Sequence, residues 1–173
     1  MGRFLLGCIT VVAAAALAGA AIMFGGYFDL AASRPDPAPM AWVLTTTRSN
    51  AIERAAAGIA APAGFSEAQA RQGRALYGET CVHCHGAPGV DPADWSGGMN
   101  PEPPWLPDIA GALTPAEVFW VVQNGIRMTG MPSFGKVLDA DKTWAVVAFV
   151  KQLPGMSEEQ YKALGGPAAP AAQ

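Results

Sequence analysis

The sequence predicts an all-α protein, with one N-terminal transmembrane helix followed by a small domain of three main helices. Three observations carry that reading. An uncharged apolar run from Phe4 to Phe28 is long enough, at about 1.5 Å per residue, to cross a hydrocarbon core of ~30 Å. Three later segments begin with helix-capping residues and continue at helical spacing, with no clear strand alternation between them. Finally, Cys81-Val82-His83-Cys84-His85 is a C-x-x-C-H run, which marks a large covalently held group able to fill a core too small to stand alone.

With 173 residues, 51% of them hydrophobic, the chain is about one domain in length and its apolarity is concentrated at the start. Residues 1–28 read as the transmembrane anchor. Ala18-Gly19-Ala20 also fits the cleavage site of a secretory signal, but apolar residues continue through Ile22, Met23 and Phe24, which favours an uncleaved span. Leu5-Leu6-Gly7-Cys8 resembles a lipoprotein box, yet the hydrophobic run follows Cys8 instead of preceding it, so Cys8 reads as a membrane-buried residue. Arg3 and the amino terminus place the N-terminal side of the span in the cytoplasm by the positive-inside rule.

Residues 29–65 form a connector. Asp36-Pro37-Ala38-Pro39 breaks any helix, after which Met40, Leu44, Thr47, Ala51, Ala55 and Ile59 recur at helical spacing and predict a juxtamembrane helix from Met40 to Ala57. Trp42 suits either a headgroup position or packing on the domain. Gly58 to Gly64, with Pro62, reads as a hinge.

Residues 66–153 form the domain proper. Ser66-Glu67-Ala68-Gln69 is a capping box and predicts a helix from Glu67 to about Gly78, with Gly73 and Tyr77 on one face. Thr114-Pro115-Ala116-Glu117 is a second start, with Val118, Phe119, Val121 and Val122 as the buried side and Gly125 as the stop. A last helix begins near Asp139, runs through Trp144, Val147, Ala148 and Lys151, and ends before Pro154. Residues 154–173 are an Ala/Pro/Gly-rich tail, low in complexity from Gly165 onward.

The C-x-x-C-H run selects its chemistry by what it excludes. A tetrahedral zinc site needs ligands from elsewhere, and Cys8 is the only other cysteine. A thioredoxin-like dithiol belongs to a βαβ context, which is missing from the pattern. What remains is one covalent haem c, with Cys81 and Cys84 as the thioether residues and His85 as the proximal ligand. Both histidines of the chain lie in this run, and His83 is too close to His85 to reach the opposite face of the iron. A six-coordinate carrier therefore needs a methionine, from Met99, Met128 or Met131. Met131 has Pro132 to hold its loop and Gly130 to permit close approach of the backbone.

Gly73-Arg74-Ala75-Leu76-Tyr77 ahead of Cys81 to Gly86, then Gly125 to Phe134 with Met131-Pro132, then Trp144 to Leu153, together resemble the class I monohaem c-type cytochromes over about Ser66 to Leu153. The resemblance implies a cytochrome c-like haem domain in which the first and last helices cross, with Gly73, Tyr77, Trp144 and Phe149 at the crossing. It implies His85 and Met131 as the iron ligands. It also implies a proline carbonyl that orients the histidine, for which Pro104 of Pro103-Pro104-Trp105-Leu106 is the choice, with Trp105 covering a haem edge. Since c-type haem is attached on the outer face of the membrane, the resemblance places this domain on the periplasmic side of a single-pass inner-membrane protein.

These residues imply an electron carrier with no catalytic residues of its own and no small-molecule substrate. The expected partners are the membrane and redox proteins: a quinol-oxidising complex, a terminal oxidase or a dehydrogenase. The same features also suit a haem c subunit within such an oxidoreductase complex. From Ser66 onward acidic residues outnumber basic ones, eleven to seven, which speaks against nucleic acid and against a lysine-ringed docking face. Arg127 and Trp95 are candidates to reach the haem propionates.

Overall fold

The computed structural model describes residues 1–165 and is helical throughout, with no strand among the described residues. The low-complexity tail expected from Gly165 to Gln173 lies, beyond Gly165 itself, outside the described residues. The chain divides into two units, residues 1–31 and residues 32 onward.

The first unit is α1, Gly2–Gly25, ended by Gly26 in the left-handed region at φ 68°. None of its residues is buried and its mean hydropathy reaches 2.4. Cys8 is an exposed free thiol on this helix.

The second unit opens with α2, Ala38–Ala56, which packs against α6, Pro115–Asn124. The helix forms, but it starts two residues earlier than expected, taking Pro39 into its first turn where no backbone N–H is needed, and its buried side differs. Ile52 and Ala56 are buried, whereas Leu44, Ala51 and Ala55 of the anticipated stripe are exposed. The apolar residues of this segment offer two stripes one residue apart, and contact with α6 selects the one carrying the bulky Ile52. Trp42 is 70% exposed and does not pack on the unit.

The core is the crossing of α3, Glu67–Thr80, with α7, Ala140–Val150. Ser66 caps α3 and Asp139 caps α7, each accepting from the backbone N–H three residues on. Gly73 sets the distance between the helices. A Cβ there would come within 2.5 Å of the Ala145 carbonyl carbon, closer still to its oxygen, and 3.0 Å from Phe149 Cβ. One turn on, the Tyr77 and Phe149 rings meet at 5.1 Å and 60°. Trp144, on the other side of α7, stacks on Phe119 of α6 at 4.2 Å and so joins the third main helix to the pair.

A further helix, α8 (Glu158–Ala163), lies in the stretch that reads as tail. Ser157 and Gln160 form a reciprocal capping box, and Tyr161 is buried beneath the Arg74 guanidinium, 3.7 Å from its ring centroid. The pattern Ser157-Glu158-Glu159-Gln160 matches that of Ser66 to Gln69, so the signal is present in the sequence.

Candidate cofactor site

Helix α3 runs directly into the C-x-x-C-H segment. Cys81 ends α3 and opens α4, Val82–His85, and its carbonyl accepts from the His85 N–H at 3.0 Å. Tyr77, fully buried, donates from Oη to the Gly86 carbonyl at 2.6 Å and so fastens the end of the motif to the helix crossing. Gly86 is required twice over. Its φ is 60°, and a Cβ would meet the Trp105 ring, whose Cε3 lies 2.5 Å from that position. Trp105 therefore packs beneath Gly86, and it is not part of the cavity wall described next.

Cys81, Cys84, His85, Pro104 and Met131 all line one cavity of about 510 Å³. Leu106, Val118, Val122, Ile126, Phe134, Val146 and Val150 make much of its wall apolar. Both thiols are free, and burial pushes that of Cys81 up to about 11 and that of Cys84 upward as well. His85 Nδ1 lies 2.9 Å from the Pro104 carbonyl oxygen. A carbonyl only accepts, so Nδ1 carries the proton and Nε2 keeps its lone pair for a metal. Burial lowers the His85 pKa and the bond to Pro104 opposes it, the burial being the larger effect, so the imidazole favours its neutral, ligating form.

The methionines divide clearly. Met128 is 84% exposed at φ 61° and is not on the cavity wall. Met131 and Met99 both line the cavity. The Met131 loop is held by Thr129, whose Oγ1 accepts from the Met131 N–H at 3.1 Å and donates to the Ile126 carbonyl at 2.7 Å, and the Ile126 N–H returns to the Met131 carbonyl at 3.1 Å. Beyond it, Ser133 and Phe134 bond back to the end of α6 through the carbonyls of Gln123 and Val122. Gly130 is packed against Met99, whose sulfur occupies the space a Cβ would need.

His83 is absent from the wall, as are Arg127 and Trp95, both exposed. Sequence reasoning missed the contribution of α2, which adds Arg48, Ser49, Ile52 and Glu53. The available signal was the spacing Arg48, Ile52, Ala56 along one helical stripe.

Residues 68–150 match the family model described as cytochrome c oxidase, cbb3-type, subunit III. In fold that stretch is cytochrome c-like. Such a domain implies a covalently bound haem c and electron transfer with redox protein partners. Searches of curated proteins and of solved structures return no match. The cavity of this cytochrome c-like domain suits the group. It joins two thiols at the spacing of thioether attachment, an imidazole with a free Nε2, thioether sulfurs from another segment and an apolar surround.

Proposed function

We propose that this protein is a membrane-anchored electron carrier holding one haem c, which Cys81 and Cys84 attach, His85 and Met131 ligate, and the Pro104 carbonyl steadies through His85. Bound there, the haem iron supplies a one-electron ferric/ferrous couple. The observation that carries the reading is the shared cavity: the two thiols and the oriented imidazole meet a hydrogen-bonded methionine loop from a segment more than forty residues away. Of the two methionines on the wall, Met131 is favoured because its backbone is fixed through Thr129 and Pro132.

In this reading residues 1–28 anchor the chain, residues 29–65 connect, and residues 66–153 bind the haem on the periplasmic side of the inner membrane. Single electrons pass between a quinol-oxidising complex and a terminal oxidase or dehydrogenase. Confinement to the membrane raises the effective concentration of such partners.

The test is expression with haem maturation, followed by haem staining after denaturing electrophoresis. Wild type keeps its haem, and Cys81→Ala with Cys84→Ala loses it; stain that persists in the double variant overturns covalent attachment at this site. Native electrophoresis of gently solubilised membranes then separates the readings: a mobile species of this chain alone supports the free carrier, and a stable multiprotein band makes it a subunit.

A further inference from the structure

The electron-carrier reading leaves α2 without a role at the cavity, although four of its residues are on the wall. Ile52 and Ala56 bury one stripe of α2, which packs on α6, and Arg48 lies one turn earlier on that stripe at the cavity edge. Among the described residues lining the cavity, Arg48 is the one lysine or arginine, and the acidic residues there are Glu53, Glu102 and Glu117. Glu117 is occupied, accepting from the Thr114 backbone N–H at 2.7 Å and hydroxyl at 2.8 Å. Glu53 and Glu102 are exposed.

Haem brings two propionates of its own, and a rim carrying Glu53 and Glu102 repels them. The guanidinium of Arg48, exposed and beside the Ser49 hydroxyl, is the local group able to receive a carboxylate through two parallel N–H bonds. Resting on the haem reading above, we propose that α2 is a built-in wall of the haem site and that Arg48 is the residue which receives a haem propionate. A cation held there offsets negative charge that favours ferric iron, so it raises the reduction potential.

The experiment uses the full haem-loaded chain in detergent and titrates the reduction potential of wild type, Arg48→Lys, Arg48→Gln and Arg54→Gln. Arg54 lies on the same helix and off the cavity wall, so its loss removes equal charge without the contact. Arg48→Gln is expected to lower the ferrous/ferric ratio at fixed potential about threefold, or ~28 mV at 59 mV per tenfold. Arg48→Lys should recover most of that shift, and Arg54→Gln should leave the potential near wild type.

An unchanged potential in Arg48→Gln, or equal shifts in Arg48→Gln and Arg54→Gln, overturns the assignment while the covalent haem stands. If Arg48→Gln loads no haem, Arg48→Lys decides: it must load haem and hold the wild-type potential to within about half of that ~28 mV, and a larger fall overturns the assignment. Absence of covalent haem from wild type defeats the underlying reading instead.

Discussion

Substituting Gly73 by alanine tests the helix crossing on which the haem cavity depends. The new Cβ would lie 2.5 Å from the Ala145 carbonyl carbon and 3.0 Å from Phe149 Cβ. Carbon contacts settle near 3.5–4.0 Å, so α3 and α7 must part by roughly 1 Å, enough to forfeit about half the dispersion attraction across the seam. The obstruction is helix backbone and cannot rotate away. Ala70, Tyr77, Val146 and Phe149 are all completely buried, so the loss falls on the centre of the core. The expected penalty is about 3 kcal/mol, at the upper end for overpacking. At about 4 °C per kcal/mol for a unit of this size, Tm falls by roughly 12 °C. Thermal unfolding of the full haem-loaded chain, followed by far-ultraviolet circular dichroism, reads this. Gly58→Ala is the control, since a Cβ there meets nothing within 4 Å. A Gly73→Ala chain melting within ~2 °C of wild type refutes close approach as the reason for glycine.

Met131→Ala should abolish the far-red charge-transfer band of iron–thioether ligation while Met99→Ala keeps it; the reverse result moves the ligand to Met99. Tyr77→Phe removes a fully buried donor and orphans the Gly86 carbonyl, so denaturant unfolding should show a loss of about 1–3 kcal/mol. Tyr161→Ala should cost about 3 kcal/mol by emptying the site beneath Arg74. Arg74→Met, by contrast, should cost under ~1 kcal/mol, since its Nε and Nη1 are buried without hydrogen-bond partners among the described residues and losing them offsets the lost ring contact.

What could be read in advance was chemistry confined to a few neighbouring residues. Ser66 with Gln69 and Thr114 with Glu117 form their capping boxes because both partners lie within one helical turn. The same local rule would have found α8 from Ser157 and Gln160, had Pro154 and the glycine-rich end not suggested a tail. The buried face of α2 was not legible, because two stripes were nearly equivalent until α6 chose between them. Nor could spacing rank Arg48 above Arg127, since only packing brings a residue thirty-three positions before Cys81 to the wall that Cys81 helps to form. Met99 illustrates the same point: its sequence neighbours do not mark it, and it enters the cavity by filling the space at Gly130.

The crossing and the candidate iron ligand belong to one mechanical unit. Gly73 lets α3 approach α7, which buries Tyr77 against Phe149 and aims its hydroxyl at the Gly86 carbonyl. That bond fixes the turn after His85 at a φ only glycine adopts readily, and the turn lies on the Trp105 ring. Trp105 is covalently next to Pro104, whose carbonyl sets the tautomer of His85. A disturbance at Gly73, remote from His85 in sequence, therefore reaches the imidazole through three packed aromatic residues, Phe149, Tyr77 and Trp105, and two hydrogen bonds. The orientation of the candidate ligand is consequently a property of the helix core and not of the five-residue motif alone.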